Sequence, residues 1–270
     1  MTCRDDITEE IRQKLSRIEA EYNVRVIFAC ESGSRAWGFA SDDSDYDVRF
    51  VYVRPAAEYL RLEETRDVIE YELNDIYDIN GWDIQKLLRL LYKCNPVIFE
   101  WADSPIVYKK TEEWERVQKI LPDYFSKMKM LYHYRSIAKN NIRSHFQGDE
   151  VNLKKYFYVL RPLLACRWIL NKKCPPPTAF SALCREVLPN ELKNAVETLV
   201  KIKKGAPEKQ RGPHIPQLDI FIQNQLSEAE AFLDETAREN EKNGGWDKMN
   251  EVFRGMVGAD GSPHLSRPLR

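Results

Sequence analysis

Two short motifs in the N-terminal half carry residue types that can do chemistry: Gly33-Ser34, and Asp45 and Asp47 on either side of Tyr46. Asp47 leads into Val48–Val53, an apolar run that reads as a strand, and residues i and i+2 of a strand point to the same face. Asp45 and Asp47 are therefore expected side by side, roughly 7 Å apart. Two such carboxylates repel unless something positive sits between them. Hard divalent cations take oxygen ligands, and magnesium in particular uses one or two carboxylates plus substrate phosphates. Gly33 lets backbone approach a phosphate closely, and Ser34 adds a hydroxyl at the start of a short helix. Together these residues imply two-metal phosphoryl chemistry on a nucleoside triphosphate. The plainer alternative is an acidic turn, since Ser41-Asp42-Asp43-Ser44 is loop-like. Asp47 resists that reading because it sits against Val48 and Phe50, where an unpaired carboxylate is costly.

The elements that must position these residues follow from apolar periodicity. Val24–Cys30 reads as a buried strand feeding Gly33, residues 33–39 as a short helix, and Pro55 as the end of the second strand. A helix from Thr8 to about Tyr22 precedes them, with Ile11, Leu15 and Ile18 on one face. Residues 65–79 read as a hairpin turning near Asn74-Asp75, and Asp83–Tyr92 and Pro96–Trp101 as helices. From Thr111 onward the period is helical over 111–120, 122–147, 151–170, 179–186, 189–203 and 217–239, interrupted by a Gly- and Pro-containing loop at 205–216. Strands and helices followed by helices alone predict an α+β lobe and then an all-α bundle. The expected division is 1–108, 109–240 and a flexible tail over 241–270.

Charge follows the same division. The chain of 270 residues has a net charge of −1. Residues 31–83 hold 14 Asp and Glu against 5 Lys and Arg, whereas residues 109–173 hold 15 Lys and Arg against 6 Asp and Glu. Metal suits the first lobe and phosphate the second; two unrelated solvated surfaces are the simpler account. Within the basic region Tyr132, Arg135, Lys139 and Arg143 share one helical face. Lys154, Tyr158 and Arg161, with neighbouring Lys155, form a second stripe that suits a triphosphate and a stacked base. Arg35 follows Ser34 directly and is a further phosphate candidate. Trp37 and Phe39 read as packing residues, Trp101 as core, and Glu100 as an ion-pair partner.

Gly33-Ser34 followed by Asp45-Tyr46-Asp47 resembles the DNA polymerase beta-like nucleotidyltransferase superfamily. Gly81-Trp82-Asp83, Lys86-Leu87, Asn95-Pro96, Glu100-Trp101, Ser104-Pro105, the run Lys154–Trp168 and Pro175-Pro176-Pro177 resemble its RNA-repair-associated branch. The resemblance implies a polymerase beta-like lobe built on a short mixed sheet with flanking helices. It implies two magnesium ions, replaceable by manganese, and a nucleoside triphosphate substrate, ATP foremost. It also implies a third carboxylate on a neighbouring strand, with Asp83 favoured by the Gly-Trp-Asp pattern and Asp78 as the other candidate. The expected acceptor is an RNA 3′ end. AMP transfer to a protein, as in toxin–antitoxin pairs, and an inactive nucleotide-sensing module are the alternatives.

Several classes are disfavoured. No apolar run approaches the ~20 residues of a membrane span, and Met1–Asp6 lacks a signal peptide's apolar core. The six cysteines form no Cys-x-x-Cys pair, as expected of reduced thiols in a cytoplasm. No RRM or KH signature is present.

Overall fold

The computed structural model describes residues 3–41, 44–205, 211–236 and 244–258. Asp42 and Asp43, the centre of the expected loop at 205–216, the end of the expected 217–239 helix and the last residues of the expected tail lie outside that range. In chain order the elements are α1 (Cys3–Tyr22), β1 (Arg25–Glu31), α2 (Gly33–Trp37), β2 (Tyr46–Val53), β3 (Val68–Leu73), β4 (Tyr77–Asp83), α3 (Ile84–Tyr92), α4 (Pro96–Ala102) and β5 (Val107–Lys110). There follow α5 (Glu112–Ile120), α6 (Lys127–His145), β6 (Glu150–Asn152), α7 (Lys155–Lys172), α8 (Phe180–Val187), α9 (Lys193–Gly205), β7 (Arg211–Pro213), α10 (Pro216–Thr236) and α11 (Trp246–Val257).

The first five strands form one mixed sheet in the order β3-β4-β2-β1-β5. β2 and β4 are parallel, and every other pairing in it is antiparallel. This follows from the hairpin: β3 and β4 turn at Asn74, whose side chain accepts from the backbone N–H groups of Ile76 and Tyr77. β3 runs along the edge opposite in direction to β2, so β4, which turns back from β3 and lies beside β2, is parallel to β2. One face of the sheet packs on α1, where Ile11, Leu15 and Ile18 meet Val26, Val48, Phe50 and Ile79. The other face carries Phe28, Cys30, Val51 and Val53 into a core shared with α3, α4, α5, α6, α10 and α11. The α+β architecture is that of a polymerase beta-like lobe followed by a helical region.

Two expectations need correction. The boundary after Tyr108 falls inside β5, which pairs with β1 through Phe28, Ala29 and Cys30. The first lobe therefore ends after Lys110, and its core runs on into the helices. The supposed flexible tail contains α11, where Met249 and Met256 are buried and Trp246 stacks on Tyr92 at 3.9 Å. The loop expected at 205–216 also supplies β7, which pairs with β6. α7 is buried on nearly every side and is the central helix of the second lobe.

Gly81 faces its register partner Phe50 across the β2–β4 ladder, and a Cβ there would lie 2.2 Å from the Phe50 ring. Gly81→Ala is expected to cost about 1–3 kcal/mol through overpacking. Denaturant unfolding checks this, and Phe50→Leu in the same chain should recover part of the loss.

Candidate active site

β1 ends at Glu31, and the chain turns at Ser32 and Gly33 into α2. Gly33 has φ +58°, in the left-handed region where side chains are strained. A Cβ on it would lie 1.9 Å from Asp47 Oδ2. The bare Cα is thus what lets the Asp47 carboxylate lie against the turn. Ser32 N–H donates to the Asp47 carbonyl at 2.8 Å, and Asp47 N–H donates to Glu31 Oε1 at 2.8 Å. Asp47 is gripped at both backbone groups by the residues that lead into Gly33-Ser34.

Asp45 lies just before β2 and is exposed. Its charge is close enough to raise the Asp47 pKa. Asp78, on β4, is the direct register partner of Asp47. Arg49 joins them: one of its terminal nitrogens lies 3.0 Å from Asp47 Oδ1 and 2.6 Å from Asp78 Oδ2. The other donates to the backbone carbonyls of Asp78 at 2.7 Å and Val48 at 3.2 Å. Burial raises the Asp47 pKa, Arg49 opposes that rise, and the charges of Asp45 and Asp78 add to it.

Asp83 lies elsewhere, which corrects the choice made from the Gly-Trp-Asp pattern. It pairs in register with Tyr52, five residues along the ladder from the Asp47–Asp78 pair, or roughly 16 Å at the usual strand rise. It caps α3 by accepting from Gln85 N–H at 2.8 Å, takes a hydrogen bond from the Tyr59 hydroxyl at 3.1 Å and lies 3.6 Å from Arg54 Nε. These contacts are those of a helix cap and its neighbours.

The expected phosphate contacts divide as well. The Ser34 carbonyl accepts from Gly38 and Phe39 N–H at the end of α2, and the N–H groups of the first helical turn have no intrahelical acceptor. Arg35 braces the Ser44–Asp45 backbone through both carbonyls and stacks 3.8 Å above Tyr46. Arg161 is buried, bonded to Glu100 at 3.0 Å and to the Thr178 carbonyl at 3.4 Å, and lies 4.5 Å over Trp37. Arg161 is thus not held toward open solvent for a triphosphate, and Arg35 is engaged by the Ser44–Asp45 backbone. Lys154 is 6% exposed and immediately precedes α7. Lys155 lies over the Tyr158 ring at 4.7 Å, and Tyr158 meets Trp37 edge-on at 6.0 Å. The basic end of α7 therefore reaches α2 through Trp37.

Glu31, Asp78 and Arg49 are the residues the sequence argument left out or ranked second. Glu31 is fully buried and also accepts from the Tyr108 hydroxyl. Arg49, two residues after Asp47, carried a face signal that the spacing rule could have used.

The arrangement defines a class. A Gly-Ser turn at the end of one strand, an acidic pair at the head of the next and an acid on its parallel neighbour are the features that the resemblance to polymerase beta-like proteins implies. Residues 7–255 match the RNA repair pathway DNA polymerase beta family, and the chain belongs to it. A relative from Bacillus subtilis (strain 168), named only as uncharacterized protein YcgL, is 43% identical over 220 residues, which is 81% of this chain and 85% of the relative.

Burial pushes the Glu31 carboxyl up to about 7 from its ordinary 4.5, although the Tyr108 hydroxyl and Asp47 N–H partly oppose the rise. Between these values the folded protein keeps a proton that the unfolded chain has lost. The stability present below pH 4.5 is therefore lost as pH rises through 7. Relative to Glu31→Gln, the wild type should lose up to roughly 3 kcal/mol between pH 5 and pH 8. Denaturant unfolding at both pH values checks this; an unchanged difference would place the folded-state pKa near its ordinary value. Gly33→Ala should lower the melting temperature at every pH, because its Cβ and its positive φ both oppose the turn.

Proposed function

We propose that this protein is a divalent-metal-dependent nucleotidyltransferase that moves a nucleoside monophosphate from a nucleoside triphosphate to the hydroxyl of an RNA 3′ end. The observation that carries the reading is the Asp47–Asp78 pairing across β2 and β4, with Asp45 nearby and Gly33 bare against Asp47. Membership of the RNA repair pathway family supports RNA as the acceptor.

The donor set fits magnesium, or manganese in its place, in kind: carboxylate oxygens on a rigid ladder, with phosphate oxygens to complete the shell. Among the described residues no three His, Cys, Asp or Glu side chains form a ready-made cluster; in the proposed complex, phosphate oxygens supply the remaining ligands. Asp45, Asp47 and Asp78 would hold the metal, and its charge would neutralise the triphosphate and favour an ionised acceptor hydroxyl. Asp78 takes the third-carboxylate role and draws the proton from the acceptor. Ser34 and the first-turn N–H groups of α2 receive the β- and γ-phosphates. Lys154 and Lys155 bring positive charge from the second lobe toward the same turn, and Tyr158 with Trp37 offers an aromatic edge for a base. ATP is the first nucleotide to test. Catalysis here is positioning and charge neutralisation rather than covalent chemistry. Among the described residues no helix is long and apolar enough to cross a membrane; work in the cytoplasm is part of the proposal.

Transfer of label from each α-³²P nucleoside triphosphate to total RNA, with magnesium or manganese, tests the reading. Asp47→Asn and Asp78→Asn should each lower transfer by about 100-fold or more. Asp83→Asn should stay within a few-fold of wild type, because asparagine caps a helix as aspartate does. Loss in Asp83→Asn with retention in Asp78→Asn would reverse the assignment of the third carboxylate. Label on protein instead of RNA would redirect the acceptor.

A further inference from the structure

The guanidinium of Arg49 is fixed from two sides. One terminal nitrogen is held by the backbone carbonyls of Asp78 and Val48, at 2.7 and 3.2 Å. The other bridges Asp47 Oδ1 and Asp78 Oδ2, at 3.0 and 2.6 Å. The Arg49 side chain is only 16% exposed, less than either carboxylate partner. Its backbone anchor is separate from its contacts with the carboxylates. Each carboxylate has one oxygen on Arg49 and its second oxygen left over; for Asp47 that second oxygen lies against Gly33.

We propose that Arg49 is a positioning residue that makes metal binding conditional on the nucleotide. The inference rests on the metal-dependent reading above and deepens it. In the free protein Arg49 neutralises part of the charge of Asp47 and Asp78, so a divalent cation alone is held weakly. A cation that comes with a triphosphate brings its own anionic oxygens and no longer relies on the carboxylates for charge balance. Arg49 meanwhile keeps one oxygen of Asp47 and one of Asp78 turned away, which leaves a single oxygen of each for the metal. A fixed positive charge beside a ligand set lowers its affinity for a cation by like-charge repulsion.

Manganese titration followed by electron paramagnetic resonance tests the proposal on the full chain. Without nucleotide, Arg49→Gln should bind Mn²⁺ about tenfold more tightly than wild type because a nearby positive charge is removed, and Arg49→Lys, which keeps the charge, should remain as weak as wild type. With an α,β-methylene nucleoside triphosphate present, the difference between Arg49→Gln and wild type should shrink. Equal or weaker nucleotide-free binding by Arg49→Gln would overturn the proposal, as would tight binding by Arg49→Lys. Arg49→Met serves as the second neutral variant should Arg49→Gln fold poorly, as judged by circular dichroism. Asp47→Asn separates this from the parent reading. If wild type with the analogue binds Mn²⁺ no better than Asp47→Asn, the metal reading itself fails. If it binds better and Arg49→Gln behaves like wild type, only the role of Arg49 fails.

Discussion

The parallel pairing of β2 with β4 is the constraint on which the rest of the molecule depends. It places Asp47 directly beside Asp78 in register, and two half-buried carboxylates on neighbouring strands repel in a medium less polar than water. Arg49 is the answer available within the ladder, since a residue two positions along β2 points to the same face. Leaving both carboxylates unpaired in the absence of ligand would cost stability. The parallel geometry also explains the chain path. β3 must leave β2, reach the sheet edge and return as β4, because consecutive strands joined by a tight turn are antiparallel.

A second set of contacts ties the helical lobe to the site. Arg161 on α7 lies over Trp37 at the end of α2 and is bonded to Glu100 on α4; Glu100 in turn accepts from the Tyr134 hydroxyl on α6 at 2.8 Å. The Thr178 hydroxyl donates to the Glu100 carbonyl, and Thr178 N–H donates to Asp103. A buried arginine is costly unless its charge and N–H groups are met, and here they are met by residues from separate elements. Arg161 thus serves to hold α2 against α7. That role is incompatible with the free phosphate grip expected from its place in a basic stripe. A charge stripe on a helix says which residues share a face, not whether the face looks at solvent or at another lobe.

The fold was largely legible because its signals are local. Ile11, Leu15 and Ile18 announced α1, Asn74-Asp75 announced the hairpin, and Pro55 and Asn95-Pro96 marked ends and beginnings that the structure contains. The boundary at Tyr108 failed because β5 pairs with β1, a contact between residues about eighty positions apart that no local pattern records. The tail failed for a similar reason. Trp246, Met249 and Met256 are too few apolar residues to announce a helix among charged and glycine neighbours, yet each finds a partner surface on α3 or α5.

The third carboxylate shows where reading a sequence stops. Asp78 and Asp83 are five residues apart on one strand, and an odd separation puts their side chains on opposite faces. The alternation of Tyr77, Ile79 and Gly81 with Asp78, Asn80 and Trp82 is visible in the sequence, and the first set is buried while the second is less so. Parity alone therefore sets Asp78 on the more open face and Asp83 with the buried set. Choosing between them as partners of Asp47 needs a second fact, the register of β4 against β2, which a loop-connected parallel pair does not encode locally. A shift of two residues would keep the parity and separate Asp47 from Asp78 by another 7 Å or so along the strand. The register is held by packing remote from the site. Phe50 settles over Gly81, which has no side chain to obstruct it, and Val48 and Ile79 fill the core on α1 beside them. The small residue in Gly-Trp-Asp thus bears on the proposed site by setting the alignment that brings Asp78 to Asp47, while the Asp of that motif caps a helix.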